Sequence, residues 1–254
     1  MGLVNDRCVC LRKVEYSETS QILTLFARQH GLVRVIAKGA HRVNKNGSSK
    51  FGGGIDLLDI GEATFTDRLD KDLATLTEWK LQDGHRSLRS TLRGLYLGFY
   101  AAELAGLLFE QRDPHPPVFD RLEQLGTDLA TPRIEQAFLA FELDVLREAG
   151  YLPELSRCVS CGVSVQPRPG PMSFSADGGG VVCRNCESAI PTRSAIDGRL
   201  IGIVQLVLNL QGASAPLSRL PVLTRHQTNP INRLLAEHIQ HLLGRPLRMR
   251  SYVV

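Results

Sequence analysis

Apolar and polar positions recur with two different periods along these 254 residues, and the change falls near Gly84. Before it, short apolar runs read as strands: Cys8 to Tyr16, Gln21 to Arg28, Leu32 to Lys38, Ile55 to Phe65 and Leu73 to Trp79. Ser17-Glu18-Thr19 and Gln29-His30-Gly31 join the first three as two hairpins. In the third run Val33, Val35 and Ala37 alternate with Arg34, Ile36 and Lys38, so the two-residue pleat turns Arg34 and Lys38 outward together. Gly39 through Gly54, rich in Gly, Ser and Asn, reads as a long loop. Five short strands with a basic loop after the third suit a small closed barrel of the oligonucleotide-binding (OB) kind; an SH3-like barrel fits the same periodicity.

Past Gly84 the spacing lengthens to three and four residues. Leu88, Leu92, Leu95, Phe99, Ala102 and Leu108 predict a long, largely buried helix to Glu110, ended by Asp113-Pro114-His115-Pro116-Pro117. A shorter helix follows from Val118 to Leu129. Thr131-Pro132 reads as an N-cap with proline in the first turn of a helix through Phe138, Phe141, Val145 and Leu146 that stops at Gly150. Ser194 to Leu210 returns to helix, and Asn229-Pro230 caps a last one through Leu234, Leu235, Ile239 and Leu242, closed by Gly244. The expected fold class is multi-domain α+β: a five-stranded barrel over 1–83 and an α-helical domain over 84–254, with a cysteine-bearing insertion at 156–190.

Cys158-Val159-Ser160-Cys161 and Cys183-Arg184-Asn185-Cys186 form two CxxC pairs separated by 21 residues, the spacing at which four thiolates close a tetrahedron around zinc. Gly162 supplies the positive φ that such a knuckle uses, an aid the second knuckle lacks, since Glu187 follows it. With sulfur at all four positions nothing is left for water or substrate, so the expected role is one structural Zn2+. A redox dithiol or a disulfide are the other readings of these residues. Cys8 and Cys10 share one side of a strand with no base nearby and read as small buried hydrophobes.

Net charge is +4, but it is unevenly spread. No acidic residue occurs from Thr19 to Ile55, where Arg28, Arg34, Lys38, Arg42, Lys45 and Lys50 fall; eight acidic residues then follow between Asp56 and Asp83. A polyanion would feel the basic segment through counterion release, which makes nucleic acid the leading partner. Candidate DNA contacts are Arg34, Lys38, Arg42, Lys45 and Lys50. Phe26 and Phe51 are the nearby aromatics, so phosphate contact should outweigh stacking and sequence preference should be weak. Arg245, Arg248 and Arg250 form a second basic group that either extends the DNA path or pins the tail.

Enzymatic motifs fail on spacing. Gly47-Ser48-Ser49-Lys50 lacks the glycine pattern of a phosphate-binding loop, and Glu237-His238-Ile239-Gln240-His241 sets its histidines three apart rather than four, which reads as a solvated helix face. Binding without covalent chemistry is therefore expected, against a zinc-ribbon nuclease or an adaptor that takes protein tails on its helices. The amino terminus shows no apolar stretch after a basic start, and Leu200 to Leu210 is too short for a bilayer span of roughly 20 residues, so a cytoplasmic location is expected.

Ala37-Lys38-Gly39-Ala40-His41-Arg42 after two hairpins is one of three stretches that carry a family likeness. The second is Phe141-Glu142-Leu143, leading through Leu146 and Gly150-Tyr151-Leu152-Pro153 to Cys158-Val159-Ser160-Cys161-Gly162; the third is the closing Leu243-Gly244-Arg245-Pro246-Leu247. Together they resemble the bacterial recombination mediator family RecO over nearly the whole chain. The resemblance implies an amino-terminal OB-fold, a helical domain and a four-cysteine zinc site. It also implies binding of single- and double-stranded DNA, annealing of complementary strands, and work with RecR to load RecA onto DNA coated by SSB, whose C-terminal tail would be a partner. His41, where the family often has arginine, and the long glycine-rich stretch near Lys50 depart from the pattern.

Overall fold

Five strands close into a barrel in the computed structural model: β1 (Gly2–Ser17), β2 (Ser20–Ala27), β3 (Gly31–Ala37), β4 (Ile60–Asp67) and β5 (Ala74–Asp83), in the order β1-β2-β3-β5-β4. The structure describes residues 2–42, 50–52, 54–67, 72–86, 88–213 and 216–254. Every neighbour pair is antiparallel except β3 and β5, which run parallel from Val35↔Ala74 to Ala37↔Leu76. That strand order with its parallel seam is the OB arrangement, and it decides between the two barrels that the periodicity allowed.

β1 starts at Gly2 rather than Cys8 because its first half pairs with β4 and its second half with β2. Asn5 and Asp6 are poor strand formers, which hides this half from a propensity reading. Asp6 is 5% exposed, and its carboxylate accepts hydrogen bonds from the backbone N–H groups of Arg7 and Gln29, both at 2.8 Å, with His30 Nδ1 at 2.7 Å. Cys8, Cys10, Leu23, Leu25, Val33, Val35, Ala37, Phe65 and Leu76 fill the interior, with Trp79 packed over Gly61. No disulfide joins any of the six cysteines, and burial raises the pKa of Cys8 and Cys10 well above that of a free thiol, so both behave as core residues.

Two compact units divide at Ala130 and Thr131. The first holds α1 (Leu92–Leu108) and α2 (Pro116–Asp128) together with the barrel, although both helices lie in the stretch expected to begin the helical domain at residue 84. The reason is apolar surface on the barrel's outside. Val9, Leu11 and Phe26 point away from the interior yet are 1%, 6% and 0% exposed, because α1 and the residue after it cover them. Phe26 meets Phe109 edge-on, with ring centroids 5.9 Å apart. Thr91 caps α1 by accepting the N–H of Gly94 at 3.1 Å. On the other side Asp120 takes a two-pronged pair from Arg28, at 2.8 and 3.0 Å, and Glu123 pairs with Arg7, tying α2 to the barrel.

Gly31 sits at φ +65 between β2 and β3, where an added Cβ would lie 2.2 Å from the backbone oxygen of Asp113. Gly31→Ala is expected to destabilise this unit by at least about 1–2 kcal/mol from the left-handed backbone alone, with the clash in addition. A urea melt followed by tryptophan fluorescence, reporting Trp79, checks it; an unchanged midpoint would count against the close approach.

The second unit packs α3 (Ile134–Glu148), α4 (Gly198–Gly212) and α5 (Arg225–Leu243), with a short α6 (Arg250–Val253) on α5. Between α3 and α4 lies an antiparallel sheet in the order β7-β6-β8, made of β6 (Pro171–Ser175), β7 (Gly180–Val182) and β8 (Ser194–Asp197). Three expected boundaries change. Ser194–Asp197 is strand rather than helix, because it pairs with Pro171–Phe174 and then Asp197 caps α4 by accepting the N–H of Arg199 at 2.8 Å. α5 begins at Arg225, not at Asn229-Pro230: Thr224 and Gln227 form a reciprocal capping box, and Pro230 is carried inside the helix. α3 begins at Ile134, while the Thr131 hydroxyl accepts the N–H of Arg133 at 3.2 Å. Gly150 and Gly244, at φ +75 and +61, follow α3 and α5 as expected.

Candidate nucleic-acid interface and metal centre

The outer face of β1, β2 and β3 is only half covered. Toward Val9 and Phe26 it lies under α1; toward the β1–β2 turn it is open. Strand register lines up the open half in rows. Arg12 pairs across to Thr24 and Thr24 to Arg34, so two guanidinium groups flank one hydroxyl on the same side of three strands. The next row is Val14, Ile22, Ile36 and Thr75. Lys38 continues the Arg34 and Ile36 side of β3 one step beyond the Gln21↔Ala37 pair.

These cations differ from four others on the barrel unit, whereas Lys80 and Arg86 are likewise exposed with no carboxylate partner among the described residues. Lys13 is paired with Asp56 at 2.8 Å, Arg28 with Asp120, Arg7 with Glu123, and Arg89 with Asp56 and Asp59. The side chains of Arg12, Arg34, Lys38 and Arg42 are exposed and have no carboxylate partner among the described residues. Arg42 lies in the turn after β3, its backbone N–H bonded to Gly39 O at 3.0 Å and its side chain folded against Gly39. That turn is tethered to the β1–β2 hairpin, because His41 donates its N–H to Thr19 O at 3.3 Å and its ring meets Glu15 at 2.9 Å. Lys50 is exposed, with Nζ 5.4 Å from the centroid of Phe51. Lys45 lies outside the described residues.

The burial of the two nearby aromatics agrees with phosphate contact outweighing stacking. Phe26 and Phe51 are 0% and 1% exposed; the first is capped by Phe109 and the second belongs to the barrel core, so neither ring is accessible for stacking. The exposed aromatic on the barrel strands is Tyr16, at 65%. Sequence reading missed Arg12 and Tyr16 because the β1 register shifts between Cys10 and Arg12 and again between Glu15 and Ser17, which resets the inward and outward phase.

In the second unit, Cys158, Cys161, Cys183 and Cys186 converge so that their sulfurs all lie within 4.8 Å of one another. Each knuckle is held by a turn: Gly162 N–H to Cys158 O at 2.8 Å in the first, Cys186 N–H to Cys183 O at 3.0 Å in the second, with Gly162 at φ +74. The two knuckles meet where Cys183 N–H points at Cys158 Sγ, 3.3 Å away. Cys161 and Cys183 sulfurs are 3.7 Å apart. That separation is far beyond a disulfide's roughly 2.05 Å. It matches the edge of roughly 3.8 Å expected for a tetrahedron with metal–sulfur bonds of about 2.3 Å.

Protons are shared unequally in this set. Burial opposes ionisation of Cys158, but N–H groups of Cys183, Cys161 and Ser160 outweigh it and hold its pKa down at about 6. Ser160 favours the Cys186 thiolate, yet the thiols of Cys183, Cys161 and Cys158 push that group up to about 11. A cluster that already sheds one proton near neutrality and is partly open to solvent fits a divalent metal better than four independent thiols would. Arg157 and Arg184 adjoin Cys158 and Cys183 in the chain and are exposed.

The histidine pair of α5 divides. His238 is 3% exposed and bonds the carbonyls of Tyr151 at 2.9 Å and Ala176 at 3.5 Å, so it anchors the insertion to α5 rather than lying on a solvated face. His241 meets Asp177 at 2.9 Å. Arg250 bonds Glu237 and Gln240, both at 2.9 Å, which pins α6 on α5 and accounts for one of the three tail arginines. Among the described residues no helix is long and apolar enough to cross a membrane.

Comparison with known proteins agrees across both units. The family model "Recombination protein O N terminal" matches residues 1–85 and "Recombination protein O C terminal" matches residues 89–251. The DNA repair protein RecO of Rhodopirellula baltica is 37% identical over 179 residues, covering 70% of this chain and 65% of that relative. The DNA repair protein RecO of Anaeromyxobacter dehalogenans strain 2CP-C is 31% identical over 246 residues, covering 96% and 93%. That of Pelotomaculum thermopropionicum is 28% identical over 255 residues, covering 100% and 94%. A barrel of OB topology, a helical second unit with a four-cysteine cluster, and matches along almost the full length place the chain in the Recombination protein O (RecO) family.

Proposed function

We propose that this protein acts in DNA repair and recombination by binding single- and double-stranded DNA through the open half of its barrel. In this reading it anneals complementary strands and, with RecR, assists RecA loading onto SSB-coated DNA. The observation that carries the first step is the sorting of cations: Arg12, Arg34, Lys38 and Arg42 stand exposed without carboxylate partners, while Arg7, Lys13, Arg28 and Arg89 are engaged. Arg34, Lys38, Arg42, Lys45 and Lys50 contact phosphates. Neutralising charge on two strands lowers their mutual repulsion and speeds pairing, with no covalent step and no nucleotide hydrolysis. Family membership and the relatives' role in DNA repair support the process; RecR and the SSB tail enter as partners on that basis.

The four sulfurs hold one structural zinc ion in this reading. Their 3.7 Å spacing and all-thiolate donor set suit it, and the ion serves to fold the 156–190 insertion. The test of the whole reading is a strand-annealing assay without ATP, run with and without SSB. Faster annealing of complementary single strands in both arms is expected. Rates equal to the protein-free control would reject it, and metal-dependent cleavage of the strands would favour a nuclease instead.

A further inference from the structure

We infer that the four-cysteine cluster is a hydroperoxide-sensitive site, with Cys161 as the sulfur that reacts first and Cys183 as the sulfur that resolves it into a disulfide joining the two knuckles. The inference deepens the zinc reading of this cluster by adding a chemistry that its open edge allows.

Exposure sets the order of events. Cys158 is 2% exposed, Cys183 and Cys186 are half-buried, and Cys161 is exposed. The whole tip of the first knuckle, 160–164, faces water, as do Arg184 and Asn185 in the second. A small polar oxidant therefore meets the Cys161 sulfur first. Arg157 and Arg184, both exposed, bring positive charge to the two knuckles, and an accessible sulfur in electropositive surroundings is the reactive kind. Sulfur bound to a single divalent ion keeps lone pairs, so coordination does not remove its nucleophilic character.

Geometry names the partner. The Cys161 and Cys183 sulfurs are 3.7 Å apart and both are reached by solvent. Cys158, the other cysteine of the first knuckle, is buried, and its sulfur is held by the N–H of Cys183 at 3.3 Å. In the first step the Cys161 sulfur attacks a peroxide oxygen; the O–O bond breaks, one oxygen stays on sulfur as a sulfenic acid, and the other takes a proton and leaves as water or an alcohol. In the second the Cys183 sulfur attacks that of Cys161; the S–S bond forms, the S–O bond breaks, and the hydroxide takes a proton and leaves as water. Two electrons pass from the two sulfurs to one peroxide. Cys158 and Cys186 take up protons, and two remaining thiols are too few to close a four-sulfur site, so the ion is no longer held.

This pairing has a structural consequence that the others lack. The cross-link spans 22 positions and encloses β6 and β7, whereas a bond inside either knuckle spans three. It therefore keeps the two knuckles together without the ion, because it restricts the unfolded insertion. His238, through the carbonyls of Tyr151 and Ala176, ties the insertion to α5. A thiol reductant and zinc then restore the starting site. Cys8 and Cys10, 0% exposed inside the barrel, stay reduced and serve as an internal control.

The test treats the full chain, purified with its metal under reducing conditions and then freed of reductant, with an equimolar amount of hydrogen peroxide. Released zinc is read with a chromogenic chelator, and disulfides are located by peptide mapping without reduction. A Cys161–Cys183 disulfide formed in step with zinc release is expected, with Cys8 and Cys10 recovered as thiols after denaturation and both changes reversed by dithiothreitol and zinc. Cys161→His leaves a donor for the ion and removes the nucleophile, so it should slow zinc release roughly tenfold. The mapping is made on the wild-type chain and decides the matter even where Cys161→His fails to fold. A disulfide within one knuckle, a cluster that keeps its thiols and its metal in a large excess of peroxide, or an unchanged release rate in a folded Cys161→His overturns the inference while the zinc reading stands. Protein purified without metal that still forms the Cys161–Cys183 disulfide overturns the zinc reading and leaves the pair standing; without metal and without that disulfide, both fall.

Discussion

If the four sulfurs hold zinc as proposed, treatment with a strong chelator, or replacement of Cys158 with serine, is expected to melt the cysteine insertion and lower the unfolding temperature of the unit that carries it. The physical reason is the size of the local core. Met172, Phe174, Val181, Val182 and Ile196 are buried there, but β7 and β8 have only three and four residues. Structural zinc contributes on the order of 10 kcal/mol to folding of comparable small domains, and nothing in so short a sheet replaces it. Cys158 is the cysteine to change because it is the buried one, at 2% exposure, and its sulfur also receives the N–H of Cys183. Metal content by mass spectrometry should fall from one equivalent to near zero in Cys158→Ser. Far-UV circular dichroism should lose strand signal while the barrel, in the other compact unit, keeps its own transition. Metal-free protein with an unaltered melting curve would show that the cluster does not brace the fold.

The second large effect concerns the free cations. Replacing Arg34, Lys38 and Arg42 together by alanine should weaken DNA binding on the order of a hundredfold at low salt. The slope of log affinity against log salt should flatten by about 0.7 to 0.9 for each phosphate that is no longer neutralised. Arg28→Ala is the control. Arg28 is equally cationic and lies in the same basic segment, but its guanidinium is already held by Asp120, so its removal should leave the slope alone. A triple variant that binds with the wild-type slope, or an Arg28 variant that flattens it, would contradict this assignment of the free cations.

Much of this site is legible in the chain's local patterns. The CxxC spacing is enough to pick out the four cysteines whose sulfurs converge, because two residues between thiols close a knuckle by local geometry, and Gly162 marks the turn that the first one needs. The alternation in β3 puts Arg34 and Lys38 on one outward side, and the exposure of both agrees. Helix stops at Gly150 and Gly244 are visible for the same reason: a positive φ is a property of one residue.

What escapes such a reading depends on partners distant in the chain. Ser194–Asp197 looks like the first turn of a helix, and only pairing with β6 makes it a strand. Phe26 and Tyr16 look alike as rings near a basic segment; α1 and Phe109 bury one and leave the other open. His238 reads as half of a surface pair until the carbonyls of Tyr151 and Ala176 arrive beside it. Period, turn residues and ligand spacing are short-range, so they are written into neighbouring positions and can be read there. Strand register across bulges, and which half of a sheet a helix covers, follow from burying apolar area against segments far away in sequence. Those two long-range outcomes, rather than any motif, put Arg12 and Arg34 on one open surface.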